Sequence, residues 1–180
     1  ALTKLDNHAI SPPVSWQELD SQTQADLSRD YQALSRLVVE LESMVDEDAK
    51  AYNSYMEALR LPKDTQVQIA TRKQAMQDAS LSSMEMPLQI AVKGITVLSH
   101  LGNLASYGNR NAMSDIGSAA HMAGACVEGA ILNVRINLPG ISDEETVSST
   151  LKQASDIIVK KNLLITEILA SVDERMDCRL

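Results

Sequence analysis

The sequence predicts an all-α fold, a bundle of about five helices, and three observations predict it. The 180 residues are 44% hydrophobic but only 3% aromatic, with no Phe, so the core must be made of Ala, Leu, Ile, Val and eight Met, a set that suits packed helices better than sheets. Apolar residues recur at three- and four-residue intervals along most of the chain, the period of an amphipathic helix. No segment shows the alternation of a half-buried strand. A chain of this length can bury one sizeable core, and neither a repeat nor a Gly/Ser-rich linker divides it, so residues 1–180 are expected to form one helical domain.

The first twenty residues have a poor helical pattern, broken by Pro12 and Pro13, and are expected to be irregular. From Leu27 the series Leu27, Tyr31, Leu34, Val38, Leu41 and Val45 predicts a long first helix over about 21–59, ending before Pro62. Asp64 or Thr65 caps a second helix through Val67, Ala70, Met76 and Ala79, which Pro87 is expected to kink or restart. The third, over 88–107, carries Ile90, Val97, Leu98, Leu101 and Leu104 and stops at Gly108. The fourth, over about 112–137, is rich in small residues. Gly117, Ala120 and Gly124 fall there at i, i+3 and i+7, and this bare side, open to close approach by another helix, marks it as the central helix. Pro139 and Gly140 end it. Ser142 or Asp143 caps the fifth, in which Val147, Leu151, Ala154, Ile158, Ile165 and Leu169 continue towards the C-terminus.

Composition also excludes partners. A formal charge of -8 and a pI near 4.8 lack the dense Lys/Arg surface that nucleic-acid binding needs. Cys126 and Cys178 are too few for a disulfide framework and lack metal-ligand spacing, so a reduced, cytoplasmic setting is expected. The clean apolar stretch 116–127, bounded by Asp115 and Glu128, falls short of the roughly 20 residues of a membrane span, and no signal peptide is visible.

The familiar catalytic signatures are missing: there is no Walker loop, GxGxxG, HExxH, GxSxG or CxxC, and no helix carries a Glu-x-x-His pair, so neither a metal nor a cofactor is expected. His8, His100 and His121 are scattered. His121 shares a helical face with Glu128, seven residues on, but the bland reading, a surface or subunit-facing histidine, is preferred over an acid/base pair. The methionines are expected to fill the core. More information lies in Gly108-Asn109-Arg110-Asn111-Ala112-Met113-Ser114-Asp115-Ile116, which gathers free backbone N–H groups, a hydroxyl and a carboxylate at a helix start. By itself that corner is a cap. At the far end of the same helix, however, Asn133, Arg135 and Asn137 interrupt an apolar run, and polar groups so placed need partners in the protein or in a ligand.

These blocks resemble the formiminotransferase-cyclodeaminase C-terminal domain and the short methenyltetrahydrofolate cyclohydrolases related to it. The resemblance rests on Val45-Asp46-Glu47-Asp48-Ala49-Lys50-Ala51-Tyr52-Asn53 with Ala58-Leu59-Arg60-Leu61-Pro62-Lys63, on Arg72-Lys73 and Pro87-Leu88, and most specifically on Gly108-Asn109, Ser114-Asp115, Gly129-Ala130 and Asn133-Val134-Arg135-Ile136-Asn137-Leu138. It covers nearly everything from about residue 27 onward. One departure is large: family members begin with a Pro-Gly-Gly-Gly-Ser loop opening a small-residue helix, whereas this sequence has no Gly before Gly94, and Ala1-Leu2-Thr3-Lys4 looks like the tail of that helix. Either an upstream segment precedes these residues in the intact protein or this is a truncated form, and the upstream segment is the expected explanation.

The resemblance implies folate one-carbon chemistry without metal or separate cofactor, the tetrahydrofolate derivative itself being the substrate. Either 5-formiminotetrahydrofolate cyclises to 5,10-methenyltetrahydrofolate with loss of ammonia, or water opens the methenyl compound to 10-formyltetrahydrofolate. Both reactions pass through a tetrahedral adduct and need proton transfer, for which Asp115 is the candidate catalytic carboxylate. Asn109 and Ser114 are candidates for the pterin or the substituents of the transferring carbon, and Asn137 for a further amide contact. Arg135 and Arg72 are candidates for the glutamate carboxylates, where a guanidinium fork suits bidentate pairing. Asp48 is a second acid, though its bland reading is a place in the solvated run Asp46-Glu47-Asp48. The resemblance further implies a homodimer with folate sites near its interface, and a non-catalytic helical dimerisation module is the alternative from another class.

Overall fold

The computed structural model describes residues 19–176, which contain four long helices and no strand. These are α1 (Ser21–Arg60), α2 (Gln66–Tyr107), α3 (Met113–Asn137) and α4 (Glu144–Arg175), with short 3-10 turns at Arg110–Ala112 and Leu138–Gly140. Local chemistry sets their ends. Asp20 caps α1, accepting from Thr23 N at 2.9 Å and Thr23 Oγ1 at 2.7 Å. A capping box opens α2, with Gln68 N donating to Thr65 Oγ1 at 3.2 Å and Thr65 N donating to Gln68 Oε1 at 3.0 Å. Asp143 caps α4 through the backbone N–H groups of Glu145 and Thr146. Among the described residues no helix is long and apolar enough to cross a membrane. The expectation for residues 1–20 falls, except for Leu19 and Asp20, outside the described residues, as do His8 and Cys178.

The described residues form four helices where about five are expected, because Pro87 does not divide α2. Proline lacks the N–H that would bond the carbonyl of Ser83 one turn back, and its ring crowds that turn. Asn137, from the end of α3, supplies the missing donor: its Nδ2 lies 2.8 Å from Ser83 O. Pro87 itself is buried, and its neighbours Met84 and Leu88 belong to or pack against a small buried cluster with Val134, Leu138 and Ile141. Tertiary partners therefore carry the helix through a residue that local propensity would use to stop it.

α2 runs antiparallel to α1, as three pairs show: His100 with Asp30, Lys93 with Glu40 and Ser83 with Ala51. α3 returns alongside α2, with Asn137 meeting Ser83 and Gly94 facing Val127. α1 and α3 consequently point the same way on either side of α2, and α4 packs across α2 and α3. The centre of the bundle is α2, not the small-residue α3. Ala91, Val97, Leu98, Leu101, Leu104 and Ala105 bury α2 against its three neighbours, whereas one side of α3 stays open at Leu132, 61% exposed, and Ile136, 77% exposed. The bare seam of α3 serves α4: a Cβ on Gly117 would lie 3.6 Å from Val172 Cγ1, and one on Gly124 would collide with Ile165 Cδ1. Met44, Met84 and Met113 are core residues as expected, but Met122 is exposed.

Candidate active site

Because α1 and α3 flank α2 with little contact between them, a groove of about 450 Å³ opens along the three helices. α1 contributes Val38, Leu41, Glu42 and Val45, α2 contributes Gly94 and Val97, and α3 contributes Ala119, Met122, Ala123 and Cys126. The wall is apolar apart from Glu42 and the Cys126 thiol, and its size is that of a small-molecule site, roughly 300–1,000 Å³. Cys126 is exposed, but partial desolvation of its thiol against this wall pushes the thiol pKa up.

The sequence of α3 places one candidate polar group, Asp115, on the line of this groove. Asp115, Ala119, Met122, Cys126, Gly129 and Asn133 follow one another at steps of 4, 3, 4, 3 and 4, so they form one stripe. Asp115 stands one helical turn, about 6 Å of rise, beyond Ala119. It is half-buried and lies in the first turn of α3, where the helix dipole favours a carboxylate. Ala112 at the N-cap has no polar side chain to close the turn, and neither Ser114 nor Asp115 makes a side-chain hydrogen bond among the described residues. The corner is therefore capped in part only: Asn109 Oδ1 accepts from Asn111 N at 3.0 Å, while Ser114 is exposed and Asp115 is available. Asp48, half-buried unlike the exposed Asp46 and Glu47, lies one turn past Val45 on the α1 side.

The corner is held rigidly. Arg175, near the end of α4, donates from Nη1 to Ala105 O and from Nη2 to Gly108 O, each at 2.7 Å, and so satisfies carbonyls that end α2. Arg110 Nε in turn donates to Arg175 O at 2.6 Å. This clamp, a helix C-terminus folded onto the loop before Asp115, is not visible from sequence spacing.

The remaining candidates lie elsewhere. Asn137 is 22 residues from Asp115, about 33 Å along α3, and its Nδ2 donates to Ser83 O and Asn133 O. Arg72 lines a recess of about 380 Å³ with Lys63, Lys73, Gln77 and Ser142, and its Nε and Nη2 donate to Leu59 O at 3.3 and 3.2 Å. Arg135 is exposed and borders a different recess with Glu144 and Ser148. The fold thus brings Asn109, Ser114 and Asp115 together at one end and leaves Arg72, Arg135 and Asn137 towards the other. His121 is exposed, and Glu128 pairs with the buried Lys161 of α4 rather than with it.

A polar cluster between α1 and α2 was not singled out in the sequence. Asp30, 6% exposed, lies 2.7 Å from His100 Nδ1 and accepts from Asn103 Nδ2 at 2.9 Å. Its signal was present: Asp30 falls between Leu27 and Leu34 in the apolar stripe, and His100 and Asn103 are one turn apart.

Comparison with known proteins agrees with this architecture. Residues 15–156 match the formiminotransferase-cyclodeaminase family. A formimidoyltransferase-cyclodeaminase from Gallus gallus is 35% identical over 160 residues, covering 89% of this chain and 29% of the relative. A methenyltetrahydrofolate cyclohydrolase from Methylorubrum extorquens is 28% identical over 156 residues, covering 87% of this chain and 75% of the relative. The crystal structure of a formiminotetrahydrofolate cyclodeaminase from Thermotoga maritima superposes with a TM-score of 0.80 at 18% identity, covering 96% of this chain and 80% of that one, and so shares the fold. The chain spans 29% or less of the curated formimidoyltransferase-cyclodeaminases it matches. With most of its length matched, the chain belongs to the formiminotransferase-cyclodeaminase family.

Proposed function

We propose that this chain is a cytoplasmic folate one-carbon enzyme that cyclises 5-formiminotetrahydrofolate to 5,10-methenyltetrahydrofolate, releasing ammonia. Hydration of the methenyl compound to 10-formyltetrahydrofolate is the alternative, favoured by the similarity to a cyclohydrolase over 75% of that relative. The observation that carries the reading is Asp115: a half-buried carboxylate with no hydrogen-bonding partner among the described residues, aligned with an apolar groove.

In the cyclisation N10 attacks the formimino carbon, a tetrahedral adduct forms, and the C–N bond to the departing nitrogen breaks. The N10 proton must leave and the departing nitrogen must gain one. A single carboxylate beside the adduct performs both transfers, and such general acid–base catalysis contributes about 10²–10⁴-fold. Asn109 and Ser114, on the same corner, would hydrogen-bond the substituents of the reacting carbon. The reaction so written uses a tetrahydrofolate derivative as substrate and no separate cofactor.

A homodimer reconciles the two separated groups of candidates. The open side of α3 carries Ala125, Leu132 and Ile136, and exposed apolar side chains so arranged suit a self-complementary two-fold contact. If two copies of α3 cross antiparallel near Ala125, Arg135 of one copy lies as far beyond the crossing as Asp115 of the other, ten residues in each case. Arg135, and Arg72 with Lys63 and Lys73, would then be on the side from which the glutamate carboxylates extend. The Gly117 and Gly124 seam that a purely structural dimerisation module would keep is filled by α4.

The test is absorbance at the methenyltetrahydrofolate band with each substrate supplied separately. Appearance of the band from 5-formiminotetrahydrofolate identifies the cyclodeaminase, and accelerated loss from methenyltetrahydrofolate identifies the cyclohydrolase. No change with either contradicts the proposal. Light scattering that shows a monomer at micromolar concentration contradicts the dimer.

A further inference from the structure

Glu42 is the only ionisable side chain besides the Cys126 thiol among the ten residues that line the groove. It sits on α1 between Leu41 and Val45, with Val38 one turn earlier, and faces the α3 wall of Ala119, Met122, Ala123 and Cys126 across the α2 floor of Gly94 and Val97. The neighbouring Glu40 is committed to Lys93 at 2.5 Å, whereas Glu42 has no ion pair or hydrogen bond among the described residues. An otherwise apolar cleft with one carboxylate at its edge suits a flat, largely apolar ligand that presents paired N–H donors at one end.

We propose that Glu42 is a specificity-determining residue, its carboxylate accepting the N3–H and 2-amino hydrogens of a tetrahydrofolate pterin lying in the α1–α2–α3 groove. This rests on the folate reading above and deepens it. The 2-amino-4-oxopyrimidine edge carries two parallel N–H donors on adjacent positions, the geometry that a carboxylate accepts in bidentate fashion. With that edge at Glu42, the ring's apolar faces meet Val97 and Met122. The N5–N10 side then points along α3 towards Ala119 and the carboxylate of Asp115 one turn beyond.

Calorimetric titration of the full chain and of Glu42→Gln tests this with two probes, tetrahydrofolate and its 2-desamino-2-methyl analogue, which lacks one of the paired donors. Glutamine keeps the size and helix propensity at an exposed position but replaces one acceptor oxygen by an amide donor. Charge-assisted hydrogen bonds of this kind predict that Glu42→Gln binds tetrahydrofolate about 10- to 100-fold more weakly than the parent. The analogue should bind the parent more weakly by a similar factor yet lose little further in Glu42→Gln. Equal binding of tetrahydrofolate by both proteins, or an unchanged analogue penalty in the variant, overturns the role of Glu42 while leaving the folate reading in place. Failure of the parent chain to bind tetrahydrofolate at all overturns both.

Discussion

Asn137 Nδ2 donates a 2.8 Å hydrogen bond to the carbonyl of Ser83, the oxygen that Pro87 leaves without its helical donor. The same amide also donates to Asn133 O at 2.9 Å, so one side chain ends α3 and repairs the middle of α2. Local chemistry in one helix is thereby made dependent on the last residue of another.

Asn137→Ala should destabilise the protein by about 1–2 kcal/mol, the cost of leaving a partly buried carbonyl unsatisfied. In a Pro87→Ala background the backbone N–H returns and answers Ser83 from within α2. The Asn137→Ala penalty should then shrink to roughly 0.5 kcal/mol or less, a coupling that urea denaturation of the four proteins measures. Equal penalties in both backgrounds contradict the repair.

The same pair shows what was legible in the sequence. Periodicity sets α1, α3 and α4 within a few residues, helped at α4 by the Asp143 cap, because apolar stripes and caps act locally. Pro87 misled for the opposite reason: its donor comes from Asn137, 50 positions away. Asp115 was legible as a carboxylate at a helix start, and the structure adds that the turn there is not closed by its side chain. The groove was not legible, since it exists only where α1 and α3 stand apart on α2. Nor was the clamp from Arg175 to Ala105 and Gly108, which joins residues about 70 positions apart.

Close approach of helices differs at two glycines, and their alanine variants should differ accordingly. A Cβ on Gly94 lies 2.5 Å from Cγ2 of Val127, a fully buried β-branched residue with one strongly preferred helical rotamer. Gly94→Ala should cost about 1–3 kcal/mol as overpacking. Gly124→Ala meets the tip of Ile165, which can turn, and the helix-propensity gain of about 0.5–1 kcal/mol offsets part of the strain. Thermal unfolding should rank Gly94→Ala well below Gly124→Ala, and the reverse order would contradict the packing.

Cys126 reports on the groove. Its thiol pKa is raised by desolvation, so the reactive thiolate is populated only as pH climbs through and beyond the ordinary thiol range. In a Cys178→Ser background, iodoacetamide should modify Cys126 more slowly than free cysteine at pH 8, with the difference narrowing as pH rises. Saturating tetrahydrofolate should slow the reaction several-fold further. A modification rate indifferent to tetrahydrofolate, followed by mass spectrometry, contradicts occupation of this groove.

Proton transfer by Asp115 at the end of the groove, as proposed, is decided by Asp115→Asn assayed with 5-formiminotetrahydrofolate and with methenyltetrahydrofolate at the methenyl absorbance band. The substitution preserves size and removes the titrating group, so turnover of whichever substrate the parent uses should fall by about 10²–10⁴-fold while tetrahydrofolate binding changes little. A variant that keeps near-parental turnover would contradict the claim and reduce Asp115 to a charge at the start of a helix.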